Sequence, residues 1–346
     1  MNHESHMKRC PDLARQGLRN VAPNPMVGAV LVHEDQGSDI IVGEGFHEQY
    51  GSAHAERNAI NAVSDKDFSL RSESTLYVNL EPCTHEGKQP PCIDLIIEYK
   101  IPKVIIGVED PNPLVNLDGI RKLKENGVVV VTGVLEQECR SLNKRFYTFH
   151  EKKRPYIILK WAETKDGFIA DSDNNSKWIS SPESRKLVHR WRSEEMGIMV
   201  GTNTVVYDNP LLTVRDWNGM NPVRITIDKS GRIDPSSNIF NDEARTLIFV
   251  DVNASNKNDT IVIDFKKDTM GQILNSLYEE EIQSIIVEGG SLMLRSFIDA
   301  KIWDEARVFT TDKTFGNGIE APEIDGVEIE NDRIGKDVLK ILIPKD

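Results

Sequence analysis

Ala53-His54-Ala55-Glu56-Arg57-Asn58-Ala59-Ile60-Asn61, followed by Leu80-Glu81-Pro82-Cys83 and then Pro90-Pro91-Cys92, decides how the first half of this chain folds and what chemistry it can hold. The first stretch reads as a helix whose opening turn carries His54 and Glu56. The run 74–80, STLYVNL, reads as a strand that delivers Glu81, Pro82 and Cys83 at its C-terminal end. Pro91 suits the first turn of a helix, because it has no N–H to leave unpaired. Cys92 then opens the helix that continues through IDLIIEYK. A thiol at a helix N-terminus has a lowered pKa, which favours the thiolate that zinc requires. One imidazole and two thiols make three protein ligands and leave a fourth position open for water, whose pKa zinc lowers towards neutrality. A carboxylate beside the metal, here Glu56, can move protons between that water and a leaving amine.

This is the His-x-Glu…Pro-Cys signature of zinc nucleobase deaminases. Its usual second half is Cys-x-x-Cys, whereas THEGKQPP separates Cys83 from Cys92 here. The plainer reading is a Pro-rich loop, an ordinary helix and a buried cysteine. The joint occurrence with His-Ala-Glu favours the metal.

With 346 residues the chain has room for two domains of ordinary size. Hydrophobic content is 39% and no apolar run approaches a membrane span, so a soluble protein is expected. MNHESHMKRC is polar and lacks the apolar core of a signal peptide. Four cysteines, two of them in a metal motif, fit a reducing cytoplasm, with Cys10 and Cys139 as plain buried thiols. A net charge of −13 argues against extended nucleic-acid binding. It leaves room for a small phosphorylated substrate held by a few local arginines.

Strand and helix alternate through the first half. MVGAVLVH and DIIVGEGFH read as paired strands around an EDQGS turn; KVIIGV and VVVVTGV read as strands flanking a helix at GIRKLKENG. LEQECRSLNKRFYTFHEKKRP reads as one long polar helix that Pro155 ends. The expected domains are 1–150 and 151–346, with no low-complexity linker between them. In the second half SPESRKLVHRWRSEE is a helix with Ser181 as N-cap and Pro182 at its first position. IMVGTNTVV, VRITID, TLIFVD, TIVIDF, QSIIVE and DEARVFTT read as strands and LMLRSFIDAK as a helix.

Val287-Glu288-Gly289-Gly290-Ser291 joins a strand to a helix through a glycine pair, which lets backbone N–H groups approach a phosphate at the helix N-terminus. Most such junctions are only tight turns, and no Gly-x-Gly-x-x-Gly indicates a Rossmann domain. Three more clusters add weight: Lys160-Trp161-Ala162 before Asp166-Gly167, Ser176-Lys177-Trp178-Ile179, and Thr204 through Asp208-Asn209-Pro210 to Arg215. Taken singly, Trp178 reads more simply as core packing and Arg192 as a solvated helix face.

On these residues the chain resembles the bacterial bifunctional riboflavin-biosynthesis family, a pyrimidine deaminase fused to a 5-amino-6-(5-phosphoribosylamino)uracil reductase. The likeness covers nearly the whole chain. It takes in Pro23-Asn24-Pro25, Val27-Gly28, His54-Ala55-Glu56, Glu81 through Gly87, Pro91-Cys92 and Asp110-Pro111-Asn112-Pro113, and the long spacer between the cysteines is itself this family's form. The second half adds Trp178-Ile179-Ser180-Ser181, Asp208-Asn209-Pro210 through Arg215, and Val287 through Gly290.

The resemblance implies a cytidine-deaminase-like α/β/α domain followed by a dihydrofolate-reductase-like α/β domain. It implies zinc on His54, Cys83 and Cys92, Glu56 as the proton shuttle and Asn24 at the pyrimidine, with His47, His85 and Lys88 as further candidates for the ring or phosphate. It puts NADPH near Ala162, Trp178, Thr204, Asp208 and the segment Gly290, Ser291, Leu292, Met293, Leu294, Arg295 and Ser296. Ser176, Arg192, Leu212, Arg215 and Glu288 would line the ribose-phosphate site, with Lys160 and Asp208 beside the path of reduction. Gln89, Leu117 and Glu163-Thr164-Lys165 depart from the family's usual Thr, Gly and Ala-Ser-Leu. The implied reactions are hydrolytic deamination of 2,5-diamino-6-(5-phosphoribosylamino)pyrimidin-4(3H)-one and NADPH-dependent reduction of its ribosyl group to ribityl. The family also tends to form homo-oligomers. Two alternatives stand beside this reading. One is a nucleoside or tRNA deaminase with an accessory C-terminal domain. The other is a non-catalytic zinc-stabilised binding module, which a fourth protein ligand would support.

Overall fold

Alternation of period two along β1 (Gly28–Asp35) puts Ala29 and Leu31 on one face of a sheet and Val30 and Val32 on the other, and all four are fully buried. A strand apolar on both sides needs cover on both sides. The computed structural model describes residues 2–112, 117–172, 179–252 and 260–345, and the chain divides into Met1–Lys152 and Lys153–Asp346. Ser176 and Trp178 of the candidate site, and Pro113 of the Asp-Pro-Asn-Pro motif, lie outside the described residues.

In the first unit β1 pairs antiparallel with β2 (Ser38–Phe46), and Gln36-Gly37, both at positive φ, form the two-residue turn between them. The sheet continues through β3 (Ser74–Leu80), β4 (Lys103–Val108) and β5 (Val129–Thr132) in the order β2-β1-β3-β4-β5, with β3, β4 and β5 parallel. One face packs against α2 (Ala55–Asn61), α3 (Cys92–Glu98) and α4 (Asp118–Glu125) through Ala59, Ile60, Ile93, Ile96 and Leu123. The other packs against α1 (His3–Ala14), α5 (Glu136–Leu142) and α6 (Lys144–Lys152) through Met7, Cys10, Cys139 and Tyr147. The result is an α/β/α sandwich. The expected single helix over 135–155 is instead two, α5 and α6. They part at Asn143, whose side chain accepts the Met26 N–H and donates to the Met26 carbonyl, both at 2.8 Å. That tertiary demand outweighs a helical sequence.

The second unit is built on nine strands in the order β11-β10-β9-β8-β12-β6-β13-β16-β15. In chain order these are β6 (Tyr156–Glu163), β8 (Gly197–Val200), β9 (Val223–Ile227), β10 (Thr246–Asp251), β11 (Thr260–Ile263), β12 (Ser284–Glu288), β13 (Glu305–Thr310), β15 (Gly326–Ile334) and β16 (Asp337–Pro344). The strands from β11 to β13 are parallel; β16 and β15 close one edge antiparallel. A small antiparallel pair joins β7 (Phe168–Asp171) to β14 (Gly318–Glu320). Helices α9 (Thr269–Glu279) and α10 (Ser291–Asp299) cover one face, and α7 (Pro182–Glu194) and α8 (Thr202–Asp208) the other.

Thr204-Val205-Val206, read as the end of a strand, belongs to α8. β8 stops at Val200 and Gly201 caps the helix. The Thr202 hydroxyl donates to the Ile227 carbonyl at 2.5 Å and Val205 is buried in the core, which overrides the strand preference of these β-branched residues. Among the described residues no helix is long and apolar enough to cross a membrane.

Candidate active sites

Each unit places its candidate residues beyond the C-terminal ends of parallel strands, where open α/β sheets bind ligands. In the first unit His54 caps α2, Glu56 lies in its first turn, Cys83 follows β3 and Cys92 is the first residue of α3. His54 Nδ1 is 3.4 Å from Cys83 Sγ and 3.4 Å from Cys92 Sγ, and the Cys92 N–H donates to Cys83 Sγ at 3.4 Å. A tetrahedral zinc with Zn–S near 2.3 Å and Zn–N near 2.0 Å holds its ligand atoms roughly 3.5–3.8 Å apart. The three donor atoms, all within 4.8 Å of one another, therefore fit such an ion. Among the described residues this is the one group of three or more such donors, and it includes no fourth protein ligand.

The hydrogen bond from the Cys92 thiol, against the pull of burial, lowers Cys83 to about 4, while Cys92 is pushed up by the same bond and by burial. Thiolate character is thus held at the site. Glu56 is only 3% exposed, and burial raises its carboxyl above the ordinary range. A carboxyl so placed holds a proton more readily than a free one, as a group that takes and returns protons requires.

Asn24 and His47 form a second layer of the same cavity. His47 Nδ1 donates to the Ala53 carbonyl at 3.1 Å, which leaves Nε2 to accept from Asn24 Nδ2 at 3.1 Å. Burial lowers His47, so the ring stays neutral and fixes the direction of the Asn24 amide. Asn24, His47, His54, Glu56, Cys83, His85 and Lys88 all line a cavity of about 440 Å³, and Cys92 is fully buried. Lys88 Nζ sits 3.9 Å above the Tyr50 ring, and Gln89 Nε2 donates to the Gly51 carbonyl at 3.0 Å.

Sequence reasoning gave Glu81 no role. Its buried carboxylate accepts the N–H groups of Gly119 at 3.0 Å, Leu117 at 3.1 Å, Ile120 at 3.2 Å and Asp110 at 3.3 Å. It ties the start of α4 to the strand end that carries Cys83. Asp110, which also lines the cavity, is raised by burial to about 7. Leu117, where the resemblance implies a glycine, has a φ of +61°, the backbone conformation that glycine adopts without strain.

In the second unit a cavity of about 820 Å³ is lined by Lys160 and Ala162 from β6, Arg192 from α7, Thr204 and Asp208 from α8, and Glu288 at the end of β12. Leu212, Arg215, Gly290, Ser291, Leu292, Met293 and Ser296 also line it. Leu294 and Arg295 do not: Leu294 is fully buried in the core beneath α10, and Arg295 is turned to the Glu320 carboxylate 3.9 Å away. Helical periodicity points only part of a contiguous segment at any ligand.

The centre of this cavity is ionic. Arg192 Nε and Nη2 donate to the two Glu288 oxygens at 2.8 and 2.9 Å, and Lys160 Nζ is 3.6 Å from the same carboxylate. Burial alone would raise Glu288, but Arg192 and Lys160 overcome it and hold the carboxyl at about 2. Arg192 is therefore no solvated helix face. Gly289 and Gly290 have φ of +78° and +74°, and a Cβ on Gly289 would meet Thr204 Oγ1 at 3.2 Å. The glycine pair brings the start of α10 against α8.

A family model for the cytidine and deoxycytidylate deaminase zinc-binding region matches residues 1–108, and one for the RibD C-terminal domain matches residues 155–340. The class is thus a zinc-binding deaminase domain joined to a reductase domain. Riboflavin biosynthesis protein RibD of Aquifex aeolicus is 39% identical over 334 residues, 94% of this chain and 92% of that protein. RibD of Escherichia coli K12 is 32% identical over 342 residues, 92% and 89% of the two chains. The crystal structure of the Thermotoga maritima diaminohydroxyphosphoribosylaminopyrimidine deaminase/5-amino-6-(5-phosphoribosylamino)uracil reductase matches with a TM-score of 0.88 at 39% identity, covering 99% of each chain. The chain belongs to the RibD family of bifunctional deaminase/reductases of riboflavin biosynthesis.

Proposed function

We propose that the first unit removes the 2-amino group of 2,5-diamino-6-(5-phosphoribosylamino)pyrimidin-4(3H)-one and that the second reduces the ribosyl group of the product to ribityl. The observation that carries this reading is the pairing, in one chain, of the His54–Cys83–Cys92 cluster beside buried Glu56 with a separate cation-rich cavity.

His54, Cys83 and Cys92 would hold zinc, which when bound makes an attacking water acidic at neutral pH. Asn24, aimed by His47, orients the pyrimidine; His85 and Lys88 stand ready for the ring substituents or phosphate. Glu56 takes a proton from the attacking water and returns it to the departing ammonia. The raised affinity of its buried carboxyl for a proton suits both halves of that transfer.

In the second unit NADPH would supply the reducing equivalents. Gly290 to Met293 and Ser296 on α10, with Thr204, Asp208 and Ala162, would hold it, all of them lining the cavity. Arg192 and Glu288, locked together, present fixed hydrogen-bonding groups to the ribose. Lys160 beside them is placed to donate a proton. Arg215 and Leu212 take the phosphate end. Ser176 and Trp178, outside the described residues, keep their proposed substrate and cofactor roles on the resemblance alone.

We place the deaminase in 1–150 and the reductase in 151–346. The chain's net charge of −13 supports a small-molecule substrate over nucleic acid; a cytoplasmic location and a homo-oligomer are proposed on the family resemblance. A coupled assay with the diaminopyrimidine, following ammonia and NADPH separately, tests the assignment. Ammonia release should precede NADPH oxidation. Ammonia release with no NADPH oxidation would return the second unit to an accessory role.

A further inference from the structure

Four arginines line the reductase cavity, and three of them are tied down. Arg185 Nη1 donates to the Ser180 carbonyl at 2.8 Å, Arg192 grips Glu288, and Arg232 Nη1 donates to Asn203 Oδ1 at 2.9 Å. The Arg215 side chain makes no hydrogen bond or ion pair among the described residues. What is fixed is its backbone: the Arg215 N–H donates to His189 Nδ1 at 3.3 Å. His189 lies one turn before Arg192 on α7, is only 5% exposed, and lines the same cavity.

We propose that His189 is a positioning residue for Arg215, holding its backbone so that the free guanidinium stands over the phosphate end of the substrate. This rests on the reading that Arg215 takes the phosphate. A long exposed arginine loses much rotamer freedom when it grips an anion, and a backbone anchored beforehand reduces what must be ordered on binding.

The bond needs a lone pair on Nδ1, so the ring carries its proton on Nε2, which is 3.6 Å from Asp216 Oδ2. The charged groups facing the ring are Arg192 on its own helix, Arg215 and Asp216 on the segment after α8, and Glu288 at the end of β12. Burial first, and then Arg192 and Arg215, keep the ring neutral below its ordinary pH of titration. In acid, protonation turns Nδ1 from acceptor to donor and sets it against the Arg215 N–H.

The test uses the full-length enzyme with NADPH and 5-amino-6-(5-phosphoribosylamino)uracil. Loss of one backbone hydrogen bond, about 1 kcal/mol, predicts a KM for the pyrimidine raised roughly 5-fold in His189→Leu. Neither kcat nor the KM for NADPH should change. His189→Asn, with an amide oxygen near the place of Nδ1 and no titration, should restore the KM and remove the extra rise in KM that the wild type shows in acid. In an Arg215→Ala background His189→Leu should add nothing. An equal rise in that background, or no rescue by asparagine, overturns the proposal. If His189→Leu is silent while Arg215→Ala raises KM, the positioning role fails and the phosphate reading stands. If Arg215→Ala is silent, both fail.

Discussion

The two cavities are built on opposite plans. The smaller one, about 440 Å³, takes its donors from short contiguous motifs at the starts of α2 and α3 and the end of β3, and sets a thiolate beside a buried carboxyl of raised proton affinity. The larger one, about 820 Å³, is assembled from strand ends and helices far apart in the chain, and at its centre is an ion-paired group, Arg192–Glu288–Lys160, in which burial lowers Lys160 while the two cations hold Glu288 at about 2. A proton-transfer site needs a carboxyl with a raised affinity for its proton; a site that holds a charged sugar phosphate needs a carboxylate kept ionised by its cations. The Glu56 carboxyl, raised first by burial and then by the neighbouring Cys83 thiolate, and the Glu288 carboxyl, also buried but held at about 2 by two cations, are the same chemical group set to opposite uses.

Four substitutions probe that contrast, in falling order of effect. Cys83→Ser removes one metal donor and should cut ammonia release by more than about 100-fold, with zinc content falling in parallel; NADPH oxidation with the pre-deaminated pyrimidine should persist. Next, Glu288→Gln leaves two buried cations without their carboxylate. Breaking such a group costs about 3–5 kcal/mol, so denaturant unfolding of the second unit should shift while that of the first does not. Third, Gly289→Ala forces a side chain into a left-handed conformation, with its Cβ 3.2 Å from Thr204 Oγ1. The cost should be about 1–2 kcal/mol, seen as a higher KM for NADPH with deamination untouched. The smallest change runs the other way: Leu117→Gly relieves a φ of +61° on a half-exposed residue and should stabilise the first unit by about 0.5–1 kcal/mol in thermal unfolding.

The same contrast explains what could be read in the sequence. His54, Glu56, Cys83 and Cys92 were legible because the chemistry is local: residue type and spacing alone carry it. The five strands of the first sheet and the seven parallel strands of the second were legible through their apolar runs; β15, β16 and the small β7–β14 pair were not, β15 being mostly polar and exposed. Arg192 was legible only through the family resemblance, because its meaning depends on Glu288, 96 positions away; taken alone it reads as a surface residue. His189 had one faint signal, its place three residues before Arg192 on the same helical face. Glu81 lies within the Leu80-Glu81-Pro82-Cys83 motif, yet its four backbone partners come from a loop and helix that no local pattern joins to it. Thr204-Val205-Val206 looked like strand because β-branching is a local property, whereas the turn at Gly201 and the Thr202 bond to β9 are not.

The central claim, two independent active sites in one chain, is tested most directly by Glu56→Gln. Ammonia release, zinc content and NADPH oxidation with pre-deaminated substrate are measured on one preparation. The account predicts ammonia release reduced by about 10²–10⁴-fold, zinc retained and reductase activity at the wild-type level. Ammonia release at the wild-type rate with zinc bound would contradict it.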